Sequence, residues 1–224
     1  MFIKNYMAAN PITIDEDASV VRAAEIMKET GVHRFPVVDN NELVGMVTDR
    51  DLRSAAPSQV VSFDEQERKL FPELYDLLKK IKVGEIMKTD VISITSDRSV
   101  VKAADIMLKN HISGLPVVDS QKKLIGIITQ SDIFKVLVDL SGIKTGKITL
   151  GFRLEDSPGS IKKVVDIIRQ NDGRVAGIFT TYPPEEPGYR DVYIRIRDVA
   201  SEKLEQIKNV VEEKANLLCV IDDS

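Results

Sequence analysis

The sequence predicts a mixed α/β (α+β) protein, built from a duplicated β-α-β-β-α unit and a closing β-α-β-β-α-β segment. Three observations carry this. The first is an internal repeat: with an offset of 80, Met7–Asp39 falls on Met87–Asp119, with about fifteen of the thirty-three positions identical. The second is a change of pattern after Leu140-Ser141-Gly142, where apolar residues begin to alternate. The third is composition. With 43% hydrophobic and 29% charged residues and a net charge of -4, the 224-residue chain can fill cores and stay dissolved.

Each repeat reads in the same order. A short strand, Pro11-Ile12-Thr13-Ile14 or Val91-Ile92-Ser93-Ile94, precedes a helix capped by Asp17 or Ser19, or by Asp97 or Ser99 in the second copy. Val20, Ala23, Ala24 and Met27 share one helical face, matched by Val100, Ala103, Ala104 and Met107. Two apolar runs follow, Pro36-Val37-Val38 and Leu43–Val47, parted by the turn signal Asp39-Asn40-Asn41. One extra residue within Ser120–Lys123 shifts the second copy, after which Gly45 pairs with Gly126, Thr48 with Thr129 and Asp51 with Asp132. A second helix begins near Asp49 or Ser131. Between the copies, Phe71, Leu74, Leu77, Leu78 and Ile81 at helical spacing predict a connecting helix, with Pro72 near its start.

In the closing segment, Ile148, Leu150, Phe152 and Leu154 mark a half-buried strand. Asp156-Ser157-Pro158-Gly159 turns into a helix with Ile161, Val164, Val165 and Ile168 as its stripe. Strands at 175–182 and 189–197, a helix at 201–216 and a strand at 217–221 complete a ferredoxin-like order. The third of these strands, with Val192, Ile194 and Ile196, is expected to be exposed and to support self-association. Cys219 is expected to be a small buried hydrophobe. The expected divisions are repeat one at 1–60, a connecting helix at 61–81, repeat two at 82–140 and the closing domain at 145–224.

Composition also narrows function. A lone cysteine and two histidines leave too little for an intramolecular disulfide or a cysteine zinc cluster. No run of five basic residues and no stretch of about 18 apolar residues appears, so neither nucleic acid nor a membrane is expected as a partner. Without a signal peptide the chain reads as cytoplasmic. No nucleophile stands beside a base and no Walker loop is present, so an enzyme is not expected.

The chemistry concentrates in two Thr-x-x-Asp motifs, Thr48–Asp51 and Thr129–Asp132, each at a strand-to-helix junction. A helix N-terminus offers free N–H groups to phosphate, and a carboxylate can accept both hydroxyls of a ribose. The same residues also describe a plain helix cap, and the sequence leaves both readings open. The copies differ just before their prolines: His33-Arg34-Phe35 against Ser113-Gly114-Leu115. Arg34 offers a phosphate-matching fork with His33 beside it, or it is a surface arginine at a strand edge. Arg50 and Arg53 add charge near the first motif, so two inequivalent clefts are expected.

Both repeats resemble CBS domains, through Pro-Val-Val-Asp followed by Gly45–Asp51 or Gly126–Asp132. The resemblance implies a pseudo-twofold pair binding AMP, ADP, ATP or S-adenosylmethionine as a regulatory ligand rather than a cofactor. It implies nucleotide contacts from Thr48, Asp51, Arg50, Ile92, Thr129, Asp132, His33, Arg34 and Ile12. By likeness to energy-sensing kinase subunits, His33-Arg34 would hold the phosphate of a nucleotide whose ribose sits on Asp132. The closing segment resembles an ACT domain, whose Asp156, Ser157 and Gly159 would line an amino-acid loop or form a plain turn and cap. The CBS and ACT resemblances imply a homodimer or larger homo-oligomer and an unidentified regulated protein, and the combination is similar to the acetoin-utilisation protein B family, which implies a carbon-source role. The alternative is an assembly scaffold with empty clefts.

Overall fold

The computed structural model describes residues 1–55, 65–197, 199, 201–214 and 216–223. They separate into two compact units, Met1–Ile133 and Phe134–Ser224.

The first unit opens with a single turn of 3-10 helix, Ile3–Asn5, and strand β1, Ala8–Ala9. Repeat one contributes β2 (Ile14–Asp15), α1 (Val20–Thr30), β3 (Arg34–Asp39), β4 (Glu42–Thr48) and α2 (Asp49–Ala55). Three short helices follow: α3 (Glu65–Leu70), α4 (Pro72–Leu78) and α5 (Val83–Ile86). Repeat two supplies β5 (Ile94–Thr95), α6 (Val100–Lys109), β6 (Gly114–Val118), β7 (Leu124–Thr129) and α7 (Gln130–Ser141), which runs on into the second unit.

Ser19 and Ser99 are the N-caps, their hydroxyls accepting from Arg22 N at 3.2 Å and Lys102 N at 3.1 Å. Val20, Ala23, Ala24 and Met27 are all buried, as their spacing predicts. Asn40 and Asn41 both take positive φ, 45° and 66°, the conformation a two-residue hairpin requires. In repeat two the longer turn is built around Asp119, whose Oδ1 accepts from Gln121 N and Lys123 N.

Two expectations need correction. The first strand of each repeat has only two paired residues, Ile14–Asp15 and Ile94–Thr95. Their upstream residues lie unpaired, with Ile12 42% and Ile92 37% exposed. Residues 61–64 of the connecting helix expected at 61–81 lie outside the described residues. The rest is α3 and α4, the second starting at Pro72, where a missing N–H costs no helical bond. Its buried stripe is Tyr75 and Leu78, while Phe71 and Leu77 are exposed.

The leader of each repeat docks on the other repeat. Ala8 and Ala9 of β1 pair with Ile127 and Gly126 of β7, and Ile3 donates to Arg98 O at 2.9 Å. Eighty residues later, Lys88 and Met46 exchange two 2.9 Å backbone bonds, and Val83 donates to Ala18 O at 2.8 Å. Ile3 and Val83 are fully buried by these contacts. Glycine is required where the leaders cross: a Cβ on Gly126 would stand 2.7 Å from Met7 Sδ, and one on Gly45 would stand 2.3 Å from Met87 Sδ.

The second unit contains β8 (Ile148–Glu155), α8 (Ser160–Gln170), β9 (Arg174–Thr181), β10 (Tyr189–Arg197), α9 (Ser201–Lys214) and β11 (Asn216–Asp222). Its antiparallel sheet runs β11-β8-β10-β9, the ferredoxin-like arrangement. Leu150, Phe152, Val192, Ile194 and Ile196 pack with Val164, Ile168, Ile207 and Val211. Strand β10 is therefore central, and Val192, Ile194 and Ile196 are at most 1% exposed rather than an open surface. Cys219 is half-buried on strand β11, opposite Gly151, not enclosed.

Candidate functional site: two clefts sharing one arginine

Two clefts of unequal size in the first unit border His33 and Arg34. The larger, about 630 Å³, is lined by Ile12, His33, Arg34, Thr129 and Ser131 among others. The smaller, about 330 Å³, is lined by His33, Arg34, Thr48, Arg50, Asp51 and Ile92. Both lie in the range that small-molecule sites occupy.

The Thr-x-x-Asp motifs hold nearly identical geometry. Asp51 Oδ2 accepts from Thr48 N at 2.9 Å and Thr48 Oγ1 at 2.6 Å. Asp132 Oδ2 accepts from Thr129 N at 3.0 Å and Thr129 Oγ1 at 2.7 Å. One oxygen of each carboxylate thus caps the helix start and ties it to the threonine that ends the strand. Oδ1 of Asp51 accepts no hydrogen bond among the described residues, and Asp51 lies on the wall of the smaller cleft. Asp132 is half-buried at the head of α7; its neighbours Thr129, Gln130 and Ser131 line the larger cleft, whereas its own side chain does not.

Arg34 begins β3, directly opposite Thr48 on β4. Its equivalent on β6, by the offset of 80, is Gly114, opposite Thr129. A Cβ on Gly114 would lie 3.2 Å from both Cδ and Nη1 of Arg34, so the arginine extends over that glycine from one repeat to the other. The structure therefore places His33 and Arg34 beside the Thr129 junction of the other repeat and also beside the Thr48 junction of their own. Burial pulls the Arg34 guanidinium below its ordinary pKa, with Asp49 opposing the shift. It remains charged. Among the described residues no carboxylate closes an ion pair with it.

The clefts differ in charge. No carboxylate lines the larger one. In the smaller, Arg34, Arg50 and Lys88 meet Asp49, Asp51 and Asp90. Arg53 is bound to Asp49 and lines neither cleft. The backbone of Ala8–Pro11 forms part of the larger cleft, a contribution that no periodicity in the leader announces.

In the second unit the Asp156–Gly159 loop is already tied down. Gly159 stands at φ 88°, which favours glycine, and Asp156 N donates to Gly188 O at 2.8 Å. Arg190 donates to Ser160 Oγ at 2.8 Å and pairs with Asp156 at 3.4 Å. Sequence reasoning did not single out Arg190; its place on a strand of alternating apolar residues hides it. Among the described residues, no group of three or more His, Cys, Asp or Glu could hold a metal, and no helix is long and apolar enough to cross a membrane.

The "CBS domain" family model matches residues 3–58 and 83–139. A CBS domain-containing protein of Dictyostelium discoideum is 34% identical over 139 residues, covering 62% of this chain and 92% of that protein. The chain spans only 52% and 36% of the next two curated relatives. Among solved structures, a Methanocaldococcus jannaschii protein provisionally assigned as an archaeal homologue of γ-AMPK has 28% identity and a TM-score of 0.51, over 61% of this chain and 47% of that one. A Vibrio cholerae protein provisionally named for acetoin utilization, AcuB, has 28% identity and a TM-score of 0.50, over 62% of this chain and 92% of that one. Both matched segments carry the paired junctions and the clefts between them: the chain belongs to the CBS domain family, as a tandem pair.

Proposed function

We propose that the CBS pair is a non-catalytic sensor of an adenosine-containing ligand: AMP, ADP, ATP or S-adenosylmethionine. The observation that carries this is Arg34, a half-buried cation with no described ion-pair partner, bordering two clefts of ligand size. An unpaired charge taken out of water is costly, and an anionic ligand offsets that cost. Ile12 and Ile92 offer each cleft an exposed apolar side chain against which a base can pack. Thr129 on the larger cleft, with Asp132 bonded to it, and Thr48, Asp51 and Arg50 in the smaller, are read as taking the ribose and phosphate. The likeness to AcuB supports a link to acetoin or carbon-source use.

The closing domain is read as ACT-like, on its strand order and its glycine turn into α8, with Asp156, Ser157 and Gly159 as its loop. The proposed assembly is a cytoplasmic homodimer or larger homo-oligomer acting on a regulated protein. Exposed Phe134 (63%) and Leu137 (53%) on α7 support self-association, and they equally favour the scaffold reading with empty clefts.

Calorimetric titration separates the two. Asp132→Ala is expected to weaken AMP by about 1.5–3 kcal/mol, the scale of a lost charged acceptor. Arg34→Ala is expected to weaken AMP by a similar amount and adenosine hardly at all. The two losses should be non-additive if one molecule touches both residues. Absence of AMP and adenosine binding to the unaltered protein leaves the scaffold reading, and light scattering of the same sample counts its subunits.

A further inference from the structure

Two clefts border a single guanidinium, and this limits how many anions the pair can hold. We propose that the CBS pair binds one phosphate-bearing nucleotide at a time, because the first occupant takes Arg34 and leaves the other cleft unable to hold a second. The inference rests on the adenosine reading above and concerns how its two clefts interact.

The argument begins with the failure of the repeat. At the positions equivalent to His33 and Arg34 the second copy has Ser113 and Gly114. A perfect duplication would set two arginines against each other at this point. Instead Gly114 lies under the arginine, within 3.2 Å of Cδ and Nη1 for any Cβ placed there. A Cβ at 114 would make Arg34 yield by a few tenths of an ångström, so the glycine gives the guanidinium room to lie between the two clefts. The second repeat thus supplies room rather than a second cation.

Charge then decides which cleft wins. In the larger cleft Arg34 faces His33, Thr129 and Ser131 without an opposing carboxylate. A phosphate there keeps the full attraction of the guanidinium. In the smaller cleft three carboxylates balance three cations, one of which is Arg34 itself. Once Arg34 is committed to the larger cleft, the smaller keeps Arg50 and Lys88 against Asp51 and Asp90, with Asp49 paired to Arg53, and no net positive charge is left there to hold a phosphate. The two clefts share His33, Arg34 and Ser113 as walls, so two phosphates drawn to Arg34 would also repel each other. An uncharged nucleoside meets neither obstacle and can occupy both clefts.

Titration calorimetry on the full chain tests this with adenosine and AMP as the probes. The expected result is two adenosine sites per chain, but one AMP site, with any second AMP at least tenfold weaker. Arg34→Gln keeps the long polar side chain and removes the charge; it should make AMP behave like adenosine, with two weak sites. Two AMP sites within threefold of each other in the unaltered protein overturn the inference and leave the adenosine reading standing. One site for both ligands overturns it too, because stoichiometry would then not depend on phosphate. If neither ligand binds, the adenosine reading itself fails, and this inference with it.

Discussion

A guanidinium taken partly out of water needs compensation, and Arg34 and Arg153 meet that need in opposite ways. Arg34 has no ion pair among the described residues and stands where a ligand anion can reach it. Arg153 on β8 is fully committed. Its Nε and Nη2 donate to the two carboxylate oxygens of Asp191 at 2.8 and 3.0 Å, a bidentate pair that also engages Glu186. The hydrogen bonds from Arg153 hold the Asp191 carboxyl below the usual carboxylate range, and the pairing raises Arg153 in turn. A carboxyl whose pKa is depressed by folding contributes stability that is present above its unfolded value, about 3.9. That stability is lost as pH falls through the lower folded value. Asp191→Asn should therefore destabilise the protein at pH 7 and flatten the loss of stability on acidification below about pH 4. Urea titrations of both proteins between pH 2.5 and 7 measure this, and parallel pH profiles would show that the pair contributes nothing.

At the scale of the element, the important contacts are those between repeats. Strand β1 and the segment after α5 each complete the sheet of the other copy, so neither repeat is finished by its own residues. The crossing depends on Gly126, where an added Cβ would meet Met7 Sδ at 2.7 Å and the carbonyl of Ala8 at 3.0 Å. Gly126→Val must push the leader away, at a cost of about 1–3 kcal/mol by the usual penalty of overpacking. Because Ala8–Pro11 also wall the larger cleft, AMP binding should weaken with it. Urea denaturation with parallel AMP titration reads both effects, and unchanged stability would mean that the leader is only loosely held. The repeat, its helices and its hairpins were legible in the sequence because their apolar spacing is regular and their turns carry Asn, Asp and Gly. The leader exchange was not, since Ile3 and Met7 are isolated apolar residues with no period. The burial of Tyr75 rather than Leu77 followed the start of α4 at Pro72, which sets the stripe one turn at a time. The Thr-x-x-Asp junctions were legible as motifs, whereas the reach of Arg34 into both clefts required knowing that Gly114 lies opposite it.

For the whole molecule, the division into two compact units bears on how far a change in one is felt in the other. All residues lining the two clefts fall between Ala8 and Ser131, inside the first unit, and the Asp156–Gly159 loop lies inside the second. Gly159 offers a clean probe. Its φ of 88° suits glycine, and a Cβ there would meet nothing within 4 Å, so a substitution introduces backbone strain without a clash. Gly159→Val should cost the second unit about 1–2 kcal/mol, the scale of forcing an L-residue into the left-handed region. Arg190 keeps its bonds to Ser160 and Asp156 from the neighbouring strand, which should hold the loop near its present course. The loop and the clefts belong to different compact units, so AMP affinity should stay within about threefold of the unaltered protein. Thermal unfolding followed by calorimetric titration tests both halves. A lower melting temperature with unchanged AMP binding is the expected result. A large loss of AMP affinity would mean that the closing domain is energetically coupled to the clefts, and that a ligand in its loop could be transmitted to the nucleotide site.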